Sequence, residues 1–184
     1  MKKRIEIVDE KEIHIVDDIL STDEIEAFYE YACELPFKRS ERSFAADQFP
    51  IFSVDFDSSR FDDTSFIGQK ARGLLELYCK NASQYKLGRS YINMSNYGDV
   101  EFPHYDCAPE KDDITVLYYV NKEWNYKYGG ETMFYSGKDT RLAILPTPGR
   151  FVIFSGNIEH MGSIATRICK EPRLSLALKY KLDQ

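Results

Sequence analysis

Two hydrophobic periods divide this chain. Between Ser21 and Leu35 the apolar positions Ile25, Phe28, Tyr29 and Ala32 recur at helical spacing, Ser21 and Glu24 stand three apart as in a capping box, and Pro36 supplies a stop. The same period predicts a second helix from Asp63 to about Asn81, burying Phe66, Ile67, Leu74 and Tyr78, with Gly73 as its weak point. The polar and aromatic stretch between them, Phe37 to Phe56, reads as a loop running into a strand.

From Tyr85 onward the pattern changes to short runs rich in Tyr, Val, Ile and Phe, cut by Gly, Pro and Asn. They are Arg89–Tyr97, Ile114–Val120, Glu131–Tyr135, Arg141–Leu145, Arg150–Phe154 and Arg173–Lys181. Regularly spaced short strands predict an antiparallel sandwich or barrel rather than alternating βαβ units, and a jelly roll fits the strand count. In the last run, period two puts Arg173, Ser175, Ala177 and Lys179 on one face and Leu174, Leu176 and Leu178 on the other.

Bulk composition narrows the classes. A length of 184 residues suits one domain, and 43% hydrophobic with 29% charged residues excludes intrinsic disorder, collagen and coiled coil. The net charge of -6 argues against a non-specific nucleic-acid partner, although Lys38, Arg39 and Arg42 form a local basic group. The basic start has no apolar run behind it, and no stretch matches a membrane helix, so no membrane partner and a cytoplasmic location are expected. Cys33, Cys79, Cys107 and Cys169 are scattered, without a CxxC pair, and read as reduced thiols.

With only three histidines, His14, His104 and His160, the candidate metal ligands are nearly enumerated. In Phe102-Pro103-His104-Tyr105-Asp106, a His-x-Asp pair on a strand would place both side chains on one face. His160 follows the apolar strand Gly149 to Phe154 after a short loop. Two imidazoles and one carboxylate form the facial triad of non-haem Fe(II) oxygenases, with open positions for a co-substrate and O₂. His-x-Asp alone is common by chance, and the order and strand contexts strengthen it. His14, beside Ile13, Ile15 and Val16, reads as structural. Arg173, at the start of its strand, could project into a barrel, where an unpaired charge is costly and a dicarboxylate would be a bidentate partner; standing alone, the strand would favour a solvated edge-strand arginine instead.

In order, the segments His104-Tyr105-Asp106, Ile114-Thr115-Val116-Leu117-Tyr118-Tyr119-Val120-Asn121, Trp124, Gly129-Gly130-Glu131-Thr132, Pro148-Gly149-Arg150-Phe151-Val152-Ile153-Phe154, His160 and Arg173-Leu174-Ser175-Leu176 resemble the 2-oxoglutarate/Fe(II)-dependent dioxygenases, particularly the prolyl 4-hydroxylase-like branch. The resemblance runs from about Tyr91 to Tyr180. It implies an α+β, mainly β fold: a double-stranded β-helix (jelly roll, cupin-like) core over about 85–182, with helical support over about 15–84, in a single domain across 1–184. It implies that His104, Asp106 and His160 hold Fe(II) and that Arg173 binds the far carboxylate of 2-oxoglutarate. Tyr119 would donate to the same carboxylate, with Thr115, Tyr91 and Ser175 lining the pocket. Lys170 lies nearer the family's usual clamp position; the strand pattern and Arg-x-Ser context favour Arg173, and Arg167 is the weakest of the three. O₂ is the second co-substrate, and ascorbate is the accessory expected of this branch. The implied reaction is hydroxylation of a peptidyl or free proline. The alternatives are the same chemistry on another small molecule or protein side chain, a non-catalytic metal-binding jelly-roll module, or a zinc hydrolase. Loops Phe37–Asp55 and Cys107–Asp113 are the expected substrate contacts, and the oligomeric state stays open.

Overall fold

Three neighbouring strands in the middle of the large sheet alternate in the same sense, and that alternation separates the molecule into layers. The computed structural model describes residues 1–182. On β6 (Ile114–Tyr119), β9 (Phe151–Ser155) and β11 (Arg173–Leu182), one set of side chains packs outward under the helices: Val116, Tyr118, Phe151, Ile153, Leu174, Leu176 and Leu178. The intervening set, including Leu117, Tyr119, Val152, Phe154 and Ala177, faces inward between two sheets. Period two thus builds two cores from the same strands.

The larger sheet is antiparallel and eight-stranded, in the order β1-β2-β9-β6-β11-β5-β4-β3. It comprises β1 (Lys2–Val8), β2 (Lys11–Asp17), β3 (Lys38–Glu41), β4 (Ile51–Asp55), β5 (Tyr85–Ser95), β6, β9 and β11. The smaller sheet, β10-β7-β8, is formed by β7 (Thr132–Ser136), β8 (Asp139–Ile144) and β10 (His160–Gly162). A bridge between His104 and His160 attaches the irregular segment before β6 to this small sheet. The result is a mainly β, jelly-roll fold with α1 (Thr22–Cys33), α2 (Phe61–Thr64) and α3 (Phe66–Tyr78) covering the large sheet.

The capping box on α1 is present: Ser21 Oγ accepts from the Glu24 N–H at 3.2 Å, and Glu24 Oε2 accepts from the Ser21 N–H at 2.8 Å. The second predicted helix is broken. Ser65 is extended, caps α3 and separates it from the single turn of α2, so the helix predicted from Asp63 starts at Phe66 and ends at Tyr78. Gly68 explains how the two pieces fit, since a Cβ there would lie 2.3 Å from the Phe61 carbonyl oxygen. Phe66, expected inside, is 37% exposed because it opens the helix at the surface.

The larger correction concerns the N-terminal part. Residues 15–84 are not only helical support, because the end of β2 together with β3 and β4 extends the large sheet on both flanks. The β1–β2 hairpin turns at Asp9 and Glu10, both with positive φ (50° and 61°), and β2 docks against β9. A second correction is that His104 and Asp106 do not lie on a strand. They follow Pro103 in an irregular segment held by the His104–His160 bridge and by the Asp106 N–H on the Gly156 carbonyl at 2.8 Å. All four cysteines are free thiols. Among the described residues, no helix is long and apolar enough to cross a membrane.

Candidate metal and co-substrate site

The His104–His160 bridge brings together side chains 56 residues apart in sequence, and their ring centroids are 4.7 Å apart. His104 Nδ1 lies 2.8 Å from the Phe102 carbonyl oxygen, and His160 Nδ1 lies 2.9 Å from that of Ile158. A carbonyl only accepts, so each neutral ring carries its proton on Nδ1 and presents the Nε2 lone pair to the cavity. Those two nitrogens face Asp106: His104 Nε2 is 3.6 Å from Oδ1, and His160 Nε2 is 3.6 Å from Oδ2. One ligand atom from each of the three residues falls within 4.8 Å of the others. Two oriented imidazoles and a carboxylate suit a borderline-hard divalent ion, and the donor set fits Fe(II).

The carboxylate is buried, with 3% side-chain exposure, and its charge is stabilised on every side. Lys179 Nζ sits 2.7 Å from Oδ1, and the Thr115 hydroxyl donates to Oδ2 in a short bond. Burial alone would raise the Asp106 carboxyl pKa, but His160, Lys179 and His104 together hold it well below the usual carboxylate range. The two histidines differ. Burial opposes charge on His104, yet Asp106 and the Phe102 carbonyl raise its pKa above the ordinary value. At His160, burial dominates and lowers it.

Some distance along the same inner face, Arg173 is 2% exposed. Its Nε donates to the Gly130 carbonyl at 2.7 Å, one terminal nitrogen to Ser175 Oγ at 3.1 Å and the other to Thr132 Oγ1 at 3.0 Å. All three acceptors are neutral, and no carboxylate pairs with this guanidinium among the described residues. A buried, unpaired cation calls for an anion from outside. Tyr119 donates to the same Thr132 Oγ1 at 2.8 Å, and the Arg173 guanidinium lies 5.6 Å from its ring centroid. Thr132 rather than Tyr119 therefore forms the cavity wall here, and Tyr119 stands behind it. Gly130, at φ +74°, leaves room for both Arg173 and Trp124, each 3.2 Å from where a Cβ would be. Lys170 and Arg167 are exposed, away from this arrangement.

One cavity connects the two groups, lined by His104, Asp106 and His160 at one part and by Thr132, Arg173 and Ser175 at another. Tyr91 also lines it, 4% exposed, with the Arg89 guanidinium 3.9 Å from its ring centroid. Thr115, expected as a pocket residue, lines the cavity but bonds to Asp106. Of the two loop arginines, Arg39 is held by the Pro50 carbonyl and Asp99, while Arg42 is exposed at the cavity. His14 is elsewhere, stacked on Tyr78 and 3.2 Å from Glu12, as its structural reading anticipates.

Sequence reasoning missed three participants: Thr132, Lys179 and Asn93. Asn93 lines the cavity, and its buried Oδ1 has no hydrogen-bond partner. Period two on β5 carries Tyr91 and Asn93 on one face, which is the signal that would have found it. Lys179 was visible on the Arg173 face, but its partner lies 73 residues earlier.

Residues 92–180 match the family model of the 2OG-Fe(II) oxygenase superfamily. No curated protein is similar enough in sequence to match. Among solved structures, a Pseudomonas putida prolyl-4-hydroxylase superposes with TM-score 0.69 at 15% identity, over 92% of each chain. A viral collagen prolyl hydroxylase from Paramecium Bursaria Chlorella virus-1, in a 2OG complex, gives 0.67 at 17%, covering 94% of this chain and 96% of that one. A Trichoplax adhaerens prolyl hydroxylase, in complex with a hypoxia inducible factor oxygen degradation domain peptide fragment, gives 0.67 at 17%, covering 93% and 84%. At these identities the structural likeness concerns the fold.

Proposed function

Taking as premise that residues 92–180 belong to the 2OG-Fe(II) oxygenase superfamily, we propose that this protein is an Fe(II)- and 2-oxoglutarate-dependent dioxygenase that hydroxylates a peptidyl or free proline. The observation that carries the co-substrate half of this reading is Arg173: a buried guanidinium with only neutral partners, in the same cavity as a His-Asp-His cluster. A binding module or a zinc hydrolase would leave that cation unexplained.

In this reading His104 Nε2, His160 Nε2 and one oxygen of Asp106 hold the metal. Bound Fe(II), with 2-oxoglutarate and O₂, supplies an oxidative decarboxylation to succinate and CO₂ that is coupled to hydroxylation. Arg173 takes the far carboxylate, with Thr132 and Ser175 fixing the guanidinium plane and Tyr119 fixing Thr132. Leu117 and Phe154 make apolar wall beside the metal ligands and keep water out. Tyr91 closes the wall at the metal end. The prolyl substrate is supported by the hydroxylase relatives among the structural matches, and the loop that carries Arg42 is its proposed contact surface.

The test is an anaerobic titration of Fe(II) and 2-oxoglutarate, watching for the weak visible charge-transfer band, followed by succinate release in air. L-proline and a proline-containing peptide are added in turn, with and without ascorbate. A band, and succinate release stimulated by either proline source, are expected, and His104→Ala should abolish both. No band and no succinate would sink the oxygenase reading; succinate without stimulation would remove only proline.

A further inference from the structure

The charged group closest to the metal ligands is one the proposed reaction does not use. Lys179 reaches Asp106 Oδ1 at 2.7 Å with 21% side-chain exposure, and Asp106 is its one ion-pair partner among the described residues. It is not among the residues that line the cavity, although Asp106, Tyr91 and Ala177 around it are. Its Nζ also lies 5.3 Å from the centre of the Tyr91 ring, which the Arg89 guanidinium approaches to 3.9 Å. Immediately after Lys179 the pairing of β11 with β5 slips by one residue, from Lys179–Arg89 to Tyr180–Leu87. Such irregularities re-aim side chains, and here the one in question is held on a metal ligand.

The geometry of Asp106 shows what this contact does. Each oxygen lies 3.6 Å from a different histidine Nε2, so neither is turned away from the histidine pair. A carboxylate so placed has both oxygens on the side of the histidine pair, available to a divalent ion. Chelation would leave an octahedral ion two open positions instead of three, too few for a bidentate 2-oxo acid and O₂ together. An oxygen already accepting from an ammonium is a poor ligand for a second cation, because the two positive charges repel across it. The Thr115 hydroxyl on Oδ2 is neutral and carries no such penalty.

We propose that Lys179 is a positioning residue: it reserves Oδ1 for itself, leaves Oδ2 to the metal, and so keeps Asp106 monodentate and one further coordination position open. The inference rests on the oxygenase reading for the identity of the site.

Its test uses Mn(II), which reports bound water through proton relaxation without turnover, on the full chain as wild type, Lys179→Met and Lys179→Arg. Circular dichroism confirms that each is folded. Lys179→Met is expected to bind Mn(II) at least as tightly as wild type, since a nearby cation is gone and a second oxygen is gained. Its water contribution to relaxivity should fall by about one third, the loss of one of three positions. Its Mn(II) complex should bind 2-oxoglutarate on the order of tenfold more weakly, the scale of such supporting contacts. Lys179→Arg should restore both. Wild-type relaxivity and 2-oxoglutarate affinity in Lys179→Met would overturn the proposal, as would loss of Mn(II) from a folded Lys179→Met protein. Wild-type protein that binds Mn(II) but not 2-oxoglutarate would instead sink the oxygenase reading, while the water count still decides the role of Lys179.

Discussion

The two ends of β11 carry cations on one face of one strand, six residues apart, and the fold treats them in opposite ways. Lys179 is given a carboxylate at 2.7 Å; Arg173, more deeply buried, is given three neutral acceptors and no acid. Burial alone therefore does not decide how a charge is compensated. One end is satisfied from within the chain; under the proposed function, the other is completed by the co-substrate. If the proposed roles hold, one group shapes the site and the other binds in it, and the same substitution at each end should give different answers.

The largest effect is expected for Lys179→Met in metal-free protein. Removing one partner of a buried pair strands Asp106, and stability should fall by about 3 kcal/mol. Urea denaturation with and without Mn(II) checks this, because a bound metal supplies the missing positive charge and should recover most of the loss. An equal loss with metal present would mean that Lys179 is a packing residue and erase the contrast.

At the other end, Arg173→Met should leave ligand-free stability unchanged within about 1 kcal/mol, since no ion pair is broken. Its cost should appear only with ligand: 2-oxoglutarate affinity should drop on the order of a hundredfold, as expected when a buried charge partner is truncated. Calorimetry with the Mn(II) protein measures it. A Lys170→Met variant that loses affinity while Arg173→Met does not would move the clamp to the surface residue.

The smallest effect is with pH, and it sharpens the comparison between the two histidines. In metal-free protein His104 has a raised pKa, so its protonated form stabilises the fold below about 6.5 and that contribution is lost as pH rises through its higher folded value. Metal binding needs the neutral ring and gains through the same window. Mn(II) affinity should therefore decline on acidification starting above pH 6.5, by at most about tenfold per pH unit for one proton. His160, whose pKa is lowered chiefly by burial, should add no proton-linked slope in that range.

How much of this was legible in the sequence depended on how local each signal was. The capping box of α1 and the strands of the second half were readable because their periods repeat within a few residues. The His-x-Asp pair, His160 and Arg173 were readable as residue types in order, although the strand assumed for His104 and Asp106 was absent. The β1–β2 hairpin was not readable. Its turn places Asp9 and Glu10 at positive φ, where Asn-Gly or Asp-Gly would be the usual signal, and its outer strand reads Lys-Lys-Arg-Ile-Glu-Ile-Val. The Lys179–Asp106 contact depends on which segments become neighbours, and no local pattern encodes that. Asn93 shares the Tyr91 face of β5, a local signal, but its orphaned oxygen appears only in the folded chain.

The place of β11 in the large sheet also bears on biosynthesis. Every other strand precedes it in the described chain, yet it lies between β5 and β6, bonded to both. A nascent polypeptide that has already emerged through β10 still holds two unpaired strand edges facing a gap. It also lacks both cations of the site and has an uncompensated carboxylate at Asp106. Filling that gap in the large sheet and completing the electrostatics of the site then both wait on β11, so fragments released before it should lack a formed site, be prone to aggregate and be readily degraded.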